Sequence, residues 1–167
     1  GTQTGNRDIW TIELQRDIAA PLTLNPANDW YPVWSPDGKQ MLFGSDRSGS
    51  TLLALHIKQA IDSGAEEVSL GVGSDPYDWS KDGQWITTGS ADVFVRRVSA
   101  PQQRIEFLAT PFREGGARFS PDGKWVAYSS TETQRSEIYV TAFPDARGKL
   151  QVSLEGGSFP RWSADGR

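Results

Sequence analysis

The sequence contains one histidine, His56, the residue type that most often serves as a general base in catalysis. A hydrolytic triad would require this histidine to lie between an activated serine and a carboxylate. No Gly-x-Ser-x-Gly segment, the turn that exposes the serine of an α/β-hydrolase, occurs in the chain. We therefore interpret His56, which neighbours Lys58 on a predicted strand, as a strand-surface histidine. The sequence predicts no catalytic residue and a protein that is not an enzyme.

Aspartates that recur at one position of a repeat could form a metal site or a pair of catalytic carboxylates. They are Asp37, Asp82, Asp122 and Asp165. Each stands in a different copy of the repeat, so we expect symmetry to keep them far apart and turn formation to explain them. Asp75 and Asp78, with Tyr77, are closer together and could coordinate calcium with backbone carbonyls, although a solvated strand entrance is the simpler interpretation. With no cysteine for a thiolate site, the sequence predicts no metal and no cofactor.

The charge distribution argues against a nucleic-acid partner, and the hydropathy of the chain argues against membrane insertion. The 17 basic and 21 acidic residues are spread along the chain, and their net charge of −4 leaves no basic stripe for a phosphate backbone. No apolar run approaches the ~20 residues that span a bilayer, and residues 1–8 are polar, unlike a signal peptide. We therefore expect no nucleic-acid partner and no membrane insertion.

A four-fold repeat positions all of these residues. Its copies are Trp34-Ser35-Pro36-Asp37-Gly38, Trp79-Ser80-Lys81-Asp82-Gly83, Phe119-Ser120-Pro121-Asp122-Gly123 and Trp162-Ser163-Ala164-Asp165-Gly166. Successive copies start 40 to 45 residues apart, which is the spacing of a four-stranded β-propeller blade. The 7 Trp, 7 Phe, 4 Tyr, 17 Gly and 10 Pro also suit many short strands joined by turns.

The repeated segment is predicted to be a turn between two antiparallel strands. Pro36 and Pro121 preset φ at the second position, and the glycine of each copy supplies the positive φ of a type I turn with a bulge. Short β-branched or aromatic runs then predict third strands at 52–55, 93–95 and 138–140, and fourth strands at 67–70, 104–108 and 150–154. The stretch 57–65 is predicted to be a loop.

The predicted fold is all-β, a β-propeller with about four blades' worth of four-stranded antiparallel sheets, closed or as a partial ring. One domain spans 1–167: residues 1–28 supply the outer two strands of a blade, residues 29–73, 74–112 and 113–156 each form a blade, and residues 157–167 supply the inner strand of a further blade. Three explanations stay open for this number of strands, which is more than three blades and fewer than four. The chain is a fragment of a larger ring, its terminal strands combine into a composite fourth blade, or several chains complete each other's ring.

Two columns of large side chains are predicted to pack between neighbouring blades. The first contains Trp34, Trp79, Phe119 and Trp162, and the second contains Trp10, Leu53, Phe94 and Tyr139. Their recurrence favours core packing over a stacking platform for sugars or bases, because large aromatic rings fill the wedge between twisted sheets.

At the level of these motifs the sequence resembles the TolB-like propeller family. The resemblance is carried by residues 34–39, 119–128 and 137–140, and segments 29–34 and 115–119 look like parts of the C-terminal propellers of bacterial serine/threonine kinases and winged-helix regulators. Similar propellers stand in a periplasmic envelope complex and beside the catalytic domain of prolyl-oligopeptidase-type enzymes, whose catalytic motifs this sequence lacks. The resemblance implies a sensing or docking role in a bacterial signalling or envelope protein, with an extracytoplasmic or periplasmic location.

Residues that break the repeat are predicted to line one rim of the propeller channel, where loops enter the innermost strands. They are Asp29, Tyr31, Asp75, Tyr77, Glu114, Arg118 and Arg161. This set mixes charges with aromatic rings, as recognition surfaces do. The fold itself does not require Arg118 where other copies have Val33 or Asp78. The sequence therefore predicts a ligand or partner rim at these residues.

These observations favour a non-catalytic binding module that holds a protein segment or a small ligand on preorganised loops. Two other functions stay open. One is an enzyme, either a small hydrolase or lyase using rim carboxylates, or the accessory propeller of a prolyl-oligopeptidase-type hydrolase. The other is a self-associating propeller fragment, a homo-oligomer that completes its ring without any ligand.

Overall fold

Short β-strands account for all regular secondary structure in the computed structural model, which describes residues 5–61 and 67–166. The strands are β1 (Trp10–Glu13), β2 (Ile18–Pro21), β3 (Asp29–Trp34), β4 (Gln40–Ser45), β5 (Ala54–Gln59), β6 (Val68–Val72), β7 (Asp75–Trp79), β8 (Trp85–Gly89), β9 (Val93–Arg97), β10 (Ala100–Leu108), β11 (Glu114–Phe119), β12 (Trp125–Ser130), β13 (Glu137–Ala142) and β14 (Leu150–Gln151). Among the described residues, no helix is long and apolar enough to cross a membrane.

The strands form one two-stranded sheet and three four-stranded sheets in chain order. Strands β1 and β2 pair with each other, and we name the other sheets blade I (β3–β6), blade II (β7–β10) and blade III (β11–β14). Within each blade, consecutive strands are neighbours, and the described registers are antiparallel. Consecutive four-stranded meanders are the building unit of a propeller. The predicted all-β fold is therefore confirmed.

One hydrogen-bond pattern explains why Ser and Asp recur in the turn. In blade I, the Ser35 hydroxyl donates to Asp37 Oδ1 at 2.6 Å, and the amide of Gln40 donates to the Ser35 hydroxyl oxygen at 2.9 Å. Blades II and III repeat this arrangement with the same 2.6 Å serine–aspartate distance. Gly38 closes the turn with φ of 70°. The prediction that turn formation explains the repeated aspartates is confirmed.

A β-bulge interrupts the innermost strand of blades I and III. The registers of β3 with β4 and of β11 with β12 are both broken at this point. Tyr31 and Gly116 occupy the bulges with φ of 55° and 63°, and Phe159, at the same distance before its repeat aromatic, has φ of 54°. Positive φ is unfavourable for aromatic residues and persists only where the surroundings enforce it.

The predicted aromatic columns are only partly buried. Trp79 and Phe119 belong to the core, and Tyr139 is 1% exposed in the cluster shared by blades II and III. Trp34 is 51% exposed and Trp10 is 57% exposed, so the prediction is wrong for these two residues. Trp10 lies in a sheet of only two strands, and so small a sheet covers less of the Trp10 side chain than a four-stranded blade would.

The third strand of blade I lies later in the chain than predicted. Strand β5 covers Ala54–Gln59, so the first part of the predicted loop at 57–65 is strand, and residues 62–66 lie outside the described residues. His56 pairs across the sheet with Phe43, as Tyr139 pairs with Tyr128 in blade III. The counterpart of Tyr139 is therefore His56 and not Leu53, because blade I has a longer connection before its third strand.

The chain divides into two compact units, Gly1–Pro76 and Tyr77–Arg167. The first contains the two-stranded sheet and blade I, with a cluster of Ile9, Leu22, Met41 and Phe43 at its centre. The second contains blade III and nearly all of blade II, with β11 packed against β8 and β9. Residues 157–166 carry the fourth turn, closed by the Gly166 amide on the Ser163 carbonyl at 3.0 Å. No strand is assigned to the 157–166 segment, and the predicted blade boundaries stay a prediction.

Candidate binding site on the inner strands

The predicted rim residues of the first unit lie in unlike environments. Asp29 is buried, 3% exposed, and its Oδ1 accepts from Arg47 at 3.0 Å. Tyr31 is half exposed at the bulge, beside the Trp30 ring. Asp75 is partly buried, and this burial raises the pKa of its carboxyl. Of these three, Tyr31 offers the largest accessible apolar surface.

Two predicted rim residues of the second unit belong to its packed interior. The Tyr77 ring lies against Gly89 and Gly115, and its hydroxyl oxygen is 3.2 Å from where a Cβ on Gly115 would stand. Glu114 is 3% exposed, and its Oε1 accepts from the Thr110 hydroxyl at 2.5 Å. The side chains of Tyr77 and Glu114 therefore pack against the inner strands and help to hold them in place.

Asp78 and Arg118 form an ion pair between the innermost strands of blades II and III. Arg118 Nη1 lies 3.5 Å from Asp78 Oδ1 and also donates to the Tyr77 carbonyl. Asp78 Oδ2 accepts from the Phe119 amide at 2.8 Å. Burial raises the pKa of Asp78, although the Phe119 amide and the Arg118 charge oppose this effect. The sequence analysis treated Asp78 as part of a solvated strand entrance or a calcium site and as the counterpart of Arg118 in the repeat, and it did not predict this pair.

Arg161 adds a second positive charge at the same place. Its charge acts on both Asp78 and Arg118, and burial together with this like charge lowers the pKa of Arg118. Trp162 anchors the segment, because its indole N–H donates to the Arg118 carbonyl at 3.0 Å. Two guanidinium groups therefore share one carboxylate, and the site has one net positive charge.

An exposed aromatic ring borders this site. Phe159 is 72% exposed, and its Cα and Cδ1 lie 3.6 and 3.7 Å from where a Cβ on Gly116 would stand. A Cβ on Gly116 would be in ordinary van der Waals contact with Phe159, so the positive φ of 63°, and not a lack of space, favours glycine at this position. The arrangement combines cationic and aromatic groups, which suits recognition more than bond-breaking chemistry.

A charge network that the sequence did not predict joins strands β3 and β5 of blade I through two loop residues. Arg47 bridges Asp29 and Glu67, and His56 Nδ1 lies 2.5 Å from Glu67 Oε1. The His56 ring stacks on Phe43 with centroids 5.6 Å apart and is 6% exposed. The interpretation of His56 as a surface residue is therefore wrong. Burial is possible because Glu67, which immediately precedes strand β6, supplies a partner that local sequence does not reveal.

Blade III carries the reverse charge polarity at the equivalent positions. Tyr128 and Tyr139 stack with centroids 5.8 Å apart, as Phe43 and His56 do in blade I. The loop residue after the second strand is here an acid, Glu132, and the residue before the outer strand is a base, Lys149, 2.5 Å away. The two blades thus use the same three-dimensional arrangement with exchanged signs.

The described residues contain no group of three or more His, Asp or Glu side chains placed to hold a metal ion. A cavity of about 350 Å³ lies between two repeat turns of the second unit and is lined by both Asp122 and Asp165. The expectation that the repeated aspartates are far apart is therefore wrong for this pair, because the fourth turn packs beside the third. Both carboxylates accept hydrogen bonds from the serine of their own turn.

Comparison with known proteins places these features in a family. The family model described as TolB beta propeller domain matches residues 1–166. The chain is 26% identical over 172 residues to the uncharacterized peptidase YuxL of Bacillus subtilis (strain 168), covering 78% of this chain and 26% of that protein. It thus spans about a quarter of the length of this curated relative.

Solved structures show the same fold. The crystal structure of TolB from Acinetobacter baumannii aligns with a TM-score of 0.75 at 17% identity, over 95% of this chain and 41% of TolB. A prolyl endopeptidase structure aligns with a TM-score of 0.61 at 11% identity, over 91% of this chain and 26% of that chain. At these identities the likeness concerns the fold.

Proposed function

The chain belongs to the TolB beta-propeller domain family, and on that premise we propose that it is a non-catalytic module that docks a protein segment or a small ligand. The site is the inner-strand surface around Arg118 and Arg161. The observation that carries this proposal is the net positive charge that remains when Arg118 and Arg161 share the single carboxylate of Asp78, close to the exposed Phe159. Arg118 lies on strand β11, and the bond from the Trp162 indole anchors the segment that carries Arg161, so little conformational entropy is lost when a ligand binds.

The environment of His56 supports the absence of catalysis by this chain. Its Nδ1 faces Glu67, its Nε2 is buried without a hydrogen-bond partner in the described part of the chain, and Phe43 covers one face of the ring. A general base must reach its substrate within hydrogen-bond distance, and this imidazole is not accessible.

Catalysis is tested with p-nitrophenyl acetate and Gly-Pro p-nitroanilide as substrates. We expect hydrolysis at the rate of the buffer. Hydrolysis above that rate which disappears in His56→Ala, a variant shown to be folded by circular dichroism, would contradict the proposal.

Docking is tested by screening an immobilised hexapeptide array and titrating the best-bound peptide against variants. The double variant Arg118→Ala, Arg161→Ala is expected to weaken binding at least tenfold, because two charged donors are removed. A double variant Arg16→Ala, Arg147→Ala removes the same charge from exposed residues outside the site and serves as the control. Equal affinity of both double variants would place binding elsewhere.

A second candidate function follows from the similarity to a peptidase. In this alternative the propeller is the accessory domain of a prolyl-oligopeptidase-type hydrolase, which the 26% identity to YuxL favours. Determining the coding sequence on both sides of these residues tests it. A neighbouring domain with a Gly-x-Ser-x-Gly turn supports the alternative, and a different neighbouring domain rejects it.

A further inference from the structure

The protein itself neutralises only part of the charge of the two arginines of the inner-strand site. Arg161 donates from Nη1 to the carbonyl of the preceding Pro160 at 2.8 Å, and no carboxylate lies within ion-pair distance of it among the described residues. Arg118 has Asp78 at 3.5 Å, longer than a charge-assisted hydrogen bond of about 2.7–2.9 Å. This surplus of positive charge occurs in a chain whose net charge is −4.

Asp78 is held in place by a bond that does not involve arginine. Its Oδ2 accepts from the Phe119 amide at 2.8 Å, which leaves Oδ1 at a distance from Arg118. Arg118 Nη1 also donates to the Tyr77 carbonyl, and the Arg118 side chain is 20% exposed. A guanidinium has five N–H donors, so these contacts leave donors for an additional acceptor.

The backbone around Arg118 is fixed before any ligand arrives. The Trp162 indole donates to its carbonyl at 3.0 Å, and the Thr87 hydroxyl donates to the neighbouring Ala117 carbonyl at 2.9 Å. These contacts hold the Arg118 backbone without using its guanidinium. The site is therefore preorganised around two guanidinium groups that share one carboxylate.

We propose that Arg118 and Arg161 bind one carboxylate group of a docked segment, from an aspartate or glutamate side chain or a C-terminus. This proposal rests on the docking function above and names the ligand chemistry of that site. Two guanidinium groups and Asp78 leave one net positive charge, which a single carboxylate neutralises. A phosphate dianion would leave a net negative charge, so a carboxylate fits better. Phe159 supplies an exposed apolar face for the methylene stem.

The test uses N-acetyl-glutamate N-methylamide as a probe with one carboxylate, followed through the Trp162 indole N–H resonance. N-acetyl-glutamine N-methylamide is the neutral probe of the same shape, and inorganic phosphate is the competing anion. We expect a saturable shift with the glutamate probe and at least tenfold weaker binding of the glutamine probe. Equal binding of both probes, or tighter binding of phosphate, would overturn the carboxylate assignment.

Three variants separate the charge effect from loss of folding. Arg161→Gln changes an exposed side chain and is expected to weaken the glutamate probe about tenfold. Asp78→Asn keeps an acceptor for the Phe119 amide, removes the negative charge and is expected to strengthen binding several-fold. Arg147→Gln, outside the site, is expected to have no effect. Unchanged affinity in both Arg161→Gln and Asp78→Asn would reject the site.

The two proposals fail in different ways. If an array peptide binds through the arginines but contains no carboxylate, docking stands and the ligand chemistry is wrong. If the glutamate probe binds while no peptide does, the carboxylate site stands and segment docking is wrong.

Discussion

Single residues in this protein take their roles from partners on other strands. His56 is the clearest case, because its sequence neighbours give no sign that Glu67 and Arg47 enclose it. Burial raises the pKa of Glu67, but the hydrogen bond from His56 and the Arg47 charge outweigh it and leave that pKa below its ordinary value of 4.5. A carboxyl with a lowered pKa stabilises the folded state above its unfolded-state pKa and loses this effect as the pH falls through the folded-state pKa.

The first prediction concerns Glu67→Gln. We expect the free energy of unfolding at pH 7 to fall by about 1–3 kcal/mol, because charged hydrogen bonds are lost. The difference between the two proteins should shrink as the pH falls below about 4.5, where the native carboxylate also begins to be protonated. Urea unfolding at pH 7 and pH 3.5 measures both effects, with Glu155→Gln as an exposed control. A difference that does not depend on pH would contradict this role.

Asp78 responds to pH in the opposite direction, because burial raises its pKa. Because its pKa is raised, Asp78 takes up a proton at a higher pH than an ordinary aspartate, and its protonation increases the net positive charge of the inner-strand site. A glutamate ligand, with an ordinary pKa of about 4.3, remains mostly ionised between pH 7 and pH 5. We predict that the glutamate probe binds more tightly at pH 5 than at pH 7, and that Asp78→Asn removes this trend. Titrating the protein with the glutamate probe at pH 5 and at pH 7 measures the two affinities. Tighter binding at pH 7 would refute the prediction.

At the scale of the element, the turn is the most regular feature of the chain. The first three copies use their serine and aspartate to satisfy backbone amides, and all four copies have a glycine with positive φ. At Gly123, φ is 71° and no atom stands within 4 Å of where a Cβ would lie. A substitution there meets backbone strain without a steric clash.

The third prediction therefore concerns Gly123→Ala and Gly123→Asn. We expect alanine to cost about 1 kcal/mol in the free energy of unfolding, because it adopts positive φ poorly. Asparagine should cost less, since its side chain tolerates this conformation. Thermal and urea unfolding of both variants provide the measurement. Equal stability of the alanine variant and the original protein would show that the turn is not under strain.

The sequence analysis did not predict the β-bulge in the innermost strands. Tyr31 and Phe159 carry the same positive φ as Gly116, although neither is a residue type that favours it. The physical reason at Tyr31 is that pairing of β3 with β4 on both sides of the bulge imposes the positive φ, which outweighs the local preference. The same bulge sets the direction in which the following inner-strand side chains point.

At the scale of the whole molecule, the two-stranded sheet leaves apolar side chains uncovered. Trp10 and Ile12 are 57% and 60% exposed, on the same face of the sheet as Pro21 and Ala19. Exposed apolar faces and open strand edges promote association. This observation supports the homo-oligomer among the partners considered above.

The fourth prediction is that the mass in solution rises with concentration. Ile12→Lys is expected to shift the protein towards the mass of one chain, because a charge on this face opposes pairing. Ala20→Lys, on the opposite face of the same sheet, is the matched control. Analytical ultracentrifugation over a range of concentrations measures both variants. The mass of one chain at every concentration would exclude self-association.

The sequence alone determined the blade, because each turn depends on residues within five positions of one another and recurs four times. It also determined that charges and aromatic rings vary at the inner strands. The tertiary structure decided which of these residues are accessible. It buried Asp29 and Glu114, packed Tyr77 between glycines, and brought Arg118, Arg161 and Asp78 together. The physical reason is that burial and charge pairing depend on strands far apart in the chain, whereas a turn is closed by its own neighbours.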